Sequence, residues 1–506
     1  MWQTNWSADA AYCLFWDEKR GAVMDDAKKI NEVMVSLFNI VLKIEEKAIK
    51  ESTIHDLSIT EMHTLDVIGI GNGRTMSEVA QRLQINLSTL TIAINKLVKK
   101  GYVERFRIPS DRRIVKIKLT KEGFDAVKEH EAFHDELIRK AIGKVSDEEI
   151  KNLIVSLDNI DTFMHMQMAK PIRDERDYAL GKMDFQNLHI KKALFQGGMG
   201  VGISLGGLAG AVAKEGGLGI ISGSSTGFDE EDFEWDPQKA NKRALKREIK
   251  KALEIADTEK SGGMIGVNIP YNTEDYREYV RTAVSEGAGA IITGAGLPMT
   301  LPGICEREGY YDIALIPVIS SLRAARVIIK NWQKKHKKRP DAFIFESAMA
   351  GGQLGFKESE LLRARELYYK TITDIKSEIE DIPLIVAGGI FSRDDARNAY
   401  VYGADGIQLG TRFVTTRECD AKESYKQAYI NCREEDIVII MNPQGAPCRA
   451  LANKFTESLN GIDYDITKAL VKAAKGDVKN GLVFCGSKAY KTKKIDTVAD
   501  IFKEFI

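Results

Sequence analysis

Two short pairs, Gly388–Gly389 and Gly410–Thr411, stand where a phosphate could be received. The first pair follows the apolar run PLIVA and the second follows ADGIQL. If each run is a strand of a (β/α)₈ barrel, the N–H groups at its end can converge on a dianion. A phosphorylated cofactor or substrate is then required. Upstream, FQGGMGVGISLGGLAGAVAKEGGLGIISG begins as one strand and ends in another, with glycines that let the backbone approach a flat ligand closely. A second chemistry lies in TMSEVAQRLQINLSTLTIAINKLVKKGYVERFRIPSDRRIVKIKLTKEG. Its pattern is helix, turn, helix and a two-stranded wing, with Asn86 or Ser88 as cap of the second helix. Ser88, Thr89, Thr91, Ile92, Asn95 and Lys96 on that helix would meet base edges in a major groove. Lys99, Lys100, Arg105, Arg107, Arg112 and Arg113 would meet DNA phosphates.

Two architectures are needed to position these groups. From about Asp25 to Ala169 the apolar residues, among them Ile30, Val33, Met34, Leu37, Ile40, Val41 and Ile44, recur at helical spacing. PIRDERDYALGK, residues 171–182, is charged and lacks periodicity, which predicts an exposed connector. Then ALFQG, LGIIS, MIGVN, GAIIT, ALIPVIS, DAFIFES, PLIVAGG and ADGIQLG alternate with helical segments. That alternation predicts a closed parallel barrel, because parallel strands need crossover helices. The expected fold is an α-helical winged helix-turn-helix domain followed by an α/β TIM barrel. Its divisions are an N-terminal extension of no assigned role over 1–23, a winged-helix unit over 24–170, a linker over 171–184 and the barrel with a C-terminal extension over 185–506.

Composition sets bounds on this reading. A chain of 506 residues is too long for one ordinary core. Its 44% hydrophobic and 29% charged residues are those of a globular protein, and no apolar run reaches the roughly 18 residues of a membrane span. Lysine plus arginine equals aspartate plus glutamate at 73 each, so attraction to nucleic acid must come from a local patch. Cys13, Cys305, Cys419, Cys432, Cys448 and Cys485 are scattered without CxxC spacing. Neither a metal site nor a disulfide framework is expected, and a reducing cytoplasm fits best.

The winged segment resembles the MarR family, whose wing signature is matched by Asp111 and Arg113 and whose following LT-x-x-G is matched by Leu119, Thr120 and Gly123. FNIVLKIEE and EMHTLDVIG look most like the repressors of bacterial fatty-acid synthesis genes. The resemblance implies an intertwined homodimer that reads palindromic double-stranded DNA, its dimer helices drawn from residues 25–50 and 121–168. A basic wing that serves only as a solvated face of a protein-binding module is the rival reading.

The ordered set QGGMG, GVNI, AGG before Gln353, AGGI and GADGIQLGTRF resembles the nitronate monooxygenase and enoyl-acyl-carrier-protein reductase II family. That resemblance implies FMN. Gly198 and Met199 would carry over to the ring, Asn268 and Gln408 to its polar edges, and Gly388, Gly389, Gly410 and Thr411 to the phosphate. NADH or NADPH would be the reductant, and an acyl or enoyl thioester on acyl carrier protein or coenzyme A the partner. A barrel that holds a sugar phosphate is the alternative.

One departure bears on catalysis. Gln353 stands where the family has a histidine, and an amide cannot titrate near neutral pH. Nitronate oxidation, which needs a base, is set back more than enoyl reduction. His189, His336, Tyr310, Tyr311 and Lys357 are ionisable but not singled out by spacing. A cysteine-bearing insertion of the relatives is also missing after GAPCRALANKF, and Cys448 and Cys485 read as small buried apolar residues. Three functions follow: an FMN-dependent enoyl-thioester reductase fused to a regulator, a regulator whose barrel senses flavin or an acyl ligand, and a nitronate monooxygenase.

Overall fold

The computed structural model describes residues 20–506 apart from 71–72, 84, 109–110, 147, 151, 155, 158–159, 161–163, 165–168, 170, 186–187 and 460–462. Most of the expected 1–23 extension therefore lies outside the described residues. The chain divides between Val155 and Ser156 into two compact units.

In the first unit, α1 (Arg20–Glu51) carries the helical apolar spacing, yet Ile30, Val33, Leu37, Phe38 and Val41 on it are exposed. Among its described side chains, those of the last turns, through Ile49, join the core. α2 (Ile59–Ile68) starts at a reciprocal box, in which the Ser58 hydroxyl accepts from the Glu61 N–H and the Glu61 carboxylate accepts from the Ser58 N–H. Two amides that a helix start leaves unpaired are thereby satisfied. β1 (Arg74–Thr75), α3 (Met76–Leu83) and α4 (Leu87–Lys99) follow. Asn86, one of the two candidate caps, caps α4 by accepting from the Thr89 N–H at 2.8 Å. β2 (Val103–Ile108) and β3 (Asp111–Leu119) pair antiparallel as the wing, with β1 on the far side of β3. α5 (Lys121–Ile142) is capped by Thr120. Gly123 in its first turn has no room for a side chain, since a Cβ there would fall 2.1 Å from the Tyr102 carbonyl oxygen. Leu90, Ile94 and Leu97 of α4 are fully buried in one core with Met62, Leu65 and Ile68 of α2. Each such side chain contributes roughly 1.5–3 kcal/mol, which fixes α4 by one face and leaves the other to solvent.

The second unit opens with an antiparallel hairpin of β4 (Met183–Phe185) and β5 (Leu188–Ile190). Eight parallel strands then close into a barrel in sequence order: β6 (Leu194–Gln196), β7 (Leu218–Ser222), β8 (Met264–Asn268), β9 (Ala290–Thr293), β10 (Ala314–Ile319), β11 (Phe343–Glu346), β13 (Leu384–Ala387) and β14 (Gly406–Leu409). Each expected strand run supplies one of them. Phe195, Ile220, Ile292, Ile316, Ile344 and Ile385 fill the interior, and Met183 and Phe185 of the hairpin join the same cluster. The barrel is packed at that end, as such barrels are. β12 (Gly352–Gln353), β15 (Ile437–Met441) and β16 (Pro447–Leu451) form a separate three-stranded sheet.

The expected linker over 171–184 is not a free connector. The Ile172 and Arg173 N–H groups donate to the Val401 carbonyl at 3.0 and 3.1 Å, and the Arg173 guanidinium pairs with Asp405 and lies 4.7 Å from the Tyr400 ring. The Tyr178 hydroxyl donates to the Phe505 carbonyl at 2.9 Å, and Leu180 and Met183 are buried. A charged, aperiodic stretch looks solvated in a sequence. Here Arg173, Tyr178, Leu180 and Met183 find partners far along the chain, while Asp174 pairs locally with Arg176 and Lys182 with Asp184.

Candidate functional site

A cavity of about 300 Å³ opens among the C-terminal ends of the barrel strands. Gly198, Met199, Asn268, Gly388, Gly389, Gln408, Gly410 and Thr411 all stand in its wall. The loop after β6 is held from within. The Met199 N–H donates to the Ser204 hydroxyl at 3.0 Å, that hydroxyl donates to the Gly197 carbonyl at 2.9 Å, and the Gln196 amide donates to Ser204 at 2.7 Å. The Asn268 amide donates to the Gly198 carbonyl at 3.1 Å. Gln408 is different, because its Oε1 is buried without a hydrogen-bond partner among the described residues. An unmet buried acceptor in a cavity wall costs about 1–3 kcal/mol and asks for a ligand donor.

The far end of the cavity suits an anion. Gly388 and Gly389 have φ of +84° and +81°, a consecutive left-handed pair that only glycine adopts freely and that can aim backbone amides into a concavity. Gly486, Ser487 and Lys488 line the cavity as well. The Lys488 ammonium donates to Asp395 at 2.7 Å, and burial lowers its pKa against the opposing pull of that carboxylate. Arg412 steadies this end by donating to the Phe391 carbonyl at 2.8 Å and to Glu504 at 2.9 and 2.7 Å.

Glu346, the last residue of β11, lines the same cavity, and burial pushes its carboxyl up to about 7. It can therefore give or take a proton at neutral pH. Sequence reading missed both Glu346 and Lys488. The only signal for Glu346 was an acidic residue ending the otherwise apolar run AFIF. Gln353 lies elsewhere: it is exposed, pairs with Cys448 across β12 and β16, and is absent from the cavity wall, whereas its neighbour Gly352 is in it. Successive residues of a strand face opposite sides, which sets Gln353 outside the wall that Gly352 joins. Cys485 lines the cavity, but burial raises its thiol well above the usual range and leaves it inert.

On the first unit, Ser88, Thr89, Ile92, Asn95, Lys96 and Lys99 share the exposed face of α4. The Arg105 guanidinium of the wing donates to Asn95 Oδ1 at 2.7 Å, tying β2 to the helix. The Thr91 hydroxyl donates back to the Leu87 carbonyl at 2.7 Å, and Thr89 donates to Asn86 at 2.9 Å. Lys100, expected to join the cationic patch, instead pairs with Glu61 of α2 at 2.8 Å. The side chains of Arg107, Arg112 and Arg113 lie outside the described residues.

Comparison with known proteins agrees with this geometry. A family model described as nitronate monooxygenase matches residues 182–506, and one described as MarR family matches residues 55–114. A probable nitronate monooxygenase of Staphylococcus aureus (strain Newman) is 31% identical over 159 residues, which make up 29% of this chain and 44% of that protein. The chain thus spans less than half the length of that relative. A mutant FabK from Thermotoga maritima is 25% identical, covers 62% of this chain and 91% of its own, and superposes with a TM-score of 0.50. FabT of Streptococcus pneumoniae, solved in complex with DNA, is 42% identical and covers 27% of this chain and 96% of its own, at a TM-score of 0.27.

Proposed function

Because the chain belongs to the nitronate monooxygenase family of flavin-dependent oxidoreductases over residues 182–506 and carries a MarR-type winged helix ahead of it, we propose that it is an FMN-dependent NAD(P)H oxidoreductase that reduces an enoyl thioester, joined to a DNA-reading regulator. The glycine-lined wall and the unmet Gln408 acceptor suit a flat ring with a donor edge, with Asn268 on the same wall. Gly388, Gly389, Gly410, Thr411 and Lys488 would hold the phosphate. FMN, when bound, supplies the exchange of hydride between NAD(P)H and substrate.

The observation that carries the reading is Glu346. Saturating the double bond of an enoyl thioester requires a proton at the α-carbon besides the hydride at the β-carbon. A carboxyl held at about 7 inside the cavity is half protonated at neutral pH and can deliver that proton. The thioester, on acyl carrier protein or coenzyme A, would meet Ile203, Pro270 and Val318 as apolar residues of the cavity wall. The same carboxyl in its ionised form favours a second reading, nitronate oxidation, in which it would remove the α-proton of the neutral nitroalkane to form the nitronate. Steady-state NADH and NADPH oxidation with a crotonyl thioester, run beside oxygen uptake with an alkyl nitronate, decides between them. Turnover of the thioester alone is expected. Oxygen uptake alone would replace the first reading by the second, and inactivity in both with flavin bound would leave a barrel that senses flavin or acyl ligand.

For the other half, the exposed face of α4 with Lys96, Lys99 and Arg105 supports binding of DNA. The exposed apolar stripe of α1 supports a homodimer, which would read a palindrome with half-sites about one helical turn apart. Regulation of fatty-acid synthesis genes would then couple flux to transcription. No described helix is long and apolar enough to cross a membrane. The free buried thiols of Cys305, Cys419, Cys432, Cys448 and Cys485 support a cytoplasmic setting.

A further inference from the structure

Where α1, α2 and α5 pack together, three histidines converge on one buried carboxylate oxygen. Glu45 Oε1 lies 2.7 Å from His63 Nε2, 2.9 Å from His130 Nε2 and 3.6 Å from His134 Nε2. Glu45 comes from α1, His63 from α2, and His130 and His134 from successive turns of α5. Glu45 and His130 are 2% and 5% exposed, while His63 and His134 reach solvent. The cluster lies in the first unit and takes no part in the barrel chemistry.

The outer nitrogen of His130 decides what its inner nitrogen offers. Nδ1 stands 3.2 Å from Asp66 Oδ2, so its N–H has a carboxylate to donate to. Nε2 is left to face Glu45, as an N–H when the ring is an imidazolium or as a lone pair when a cation sits between them. Glu45 Oε1 is 2.9 Å from His130 Nε2, and His134 Nε2 is 3.2 Å from the same nitrogen. Such a group needs positive charge in its midst. A proton serves one pair of these atoms, whereas a divalent ion serves all four. A carboxylate on the outer nitrogen of a ligating histidine is also the arrangement that orients the ring and raises its basicity.

We propose that Glu45, His63, His130 and His134 hold one divalent transition-metal ion of the zinc class, which staples the C-terminal turns of α1 to α2 and α5. Three nitrogens and one oxygen suit zinc in softness and number. The ligand atoms of Glu45, His63 and His130 already lie within 4.8 Å of one another, and modest side-chain movement brings them to the ~2.0–2.2 Å of a common ion. Sequence reading expected no metal because it weighed cysteine spacing. These ligands are spread over three helices and meet only in the fold.

The test uses the full chain, stripped with a chelator and dialysed, then titrated with Zn²⁺ against a chromophoric competitor and, separately, with Co²⁺ followed by visible absorption. One Zn²⁺ per chain and ligand-field bands of a four- or five-coordinate Co²⁺ are expected. The double variant His63→Ala with His134→Ala, both at partly exposed positions, should lose stoichiometric binding while keeping its helical circular dichroism. Asp66→Asn should weaken binding roughly 10- to 100-fold. Absence of Zn²⁺ uptake and Co²⁺ bands in the unaltered chain would overturn the proposal without reference to any variant. Unchanged binding in the double variant would overturn it too, by placing the ion elsewhere. So would stabilisation of the chain by acidification alone, with no response to Zn²⁺, which marks a shared proton.

Discussion

Glu346 ends an apolar strand, and its carboxyl is withdrawn from bulk water inside the cavity wall. Its pKa rises from 4.5 to about 7 through burial alone. The folded state therefore holds a proton there that the unfolded chain has released between these two values, so this contribution to stability is full below the lower value and lost as pH rises through the upper one. Glu346→Gln should remove that slope from a series of thermal melts taken across the interval. It should also lower turnover about 10²- to 10⁴-fold and erase the limb of the pH profile near neutrality; an unchanged profile would exclude Glu346 as the proton carrier. On α4 the expected effects divide by role. Lys99→Ala should weaken DNA binding evenly across sequences and reduce the salt slope by about one, whereas Asn95→Ala should relax sequence preference. Quantitative binding at several salt concentrations separates the two. The glycines of the cavity wall were legible because their types answer to backbone geometry that any barrel shares. Glu346 was not, since whether a strand-end side chain enters a cavity depends on register.

At the scale of elements, short apolar runs bounded by glycine marked the barrel strands well, because a strand buried on both faces must be apolar throughout. The wing and α4 were legible from turn, cap and charge chemistry. The tie between them, from Arg105 to Asn95, was not, because a cation in a basic stretch reads equally as a phosphate ligand. Gly123 shows how one residue secures an element. Gly123→Ala would press a methyl group toward the Tyr102 carbonyl, from which a Cβ is only 2.1 Å away. The start of α5 would have to shift, at a cost of roughly 1–3 kcal/mol. Denaturant unfolding should show the loss in the winged-helix unit, with the flavin spectrum of the barrel unchanged.

The whole chain is two units joined between Val155 and Ser156. The boundary was the least legible large feature, since charged residues do not reveal in advance whether they will meet water or one another. A fragment spanning 156–506 should fold and take up flavin. A fragment beginning at residue 185 should aggregate or bind flavin poorly, because it lacks Arg173, Tyr178, Leu180 and Met183. Gel filtration and flavin absorbance compare the two, and equal behaviour would show that the lashing is dispensable.

That lashing also governs how the halves could be exchanged. The barrel brings its own fastening, from the pairing of Arg173 with Asp405 to the plug made by Met183 and Phe185. A different DNA-reading head can therefore be grafted ahead of Ser156 without disturbing the barrel unit, whereas a graft near residue 185 would remove a stopper from the barrel floor.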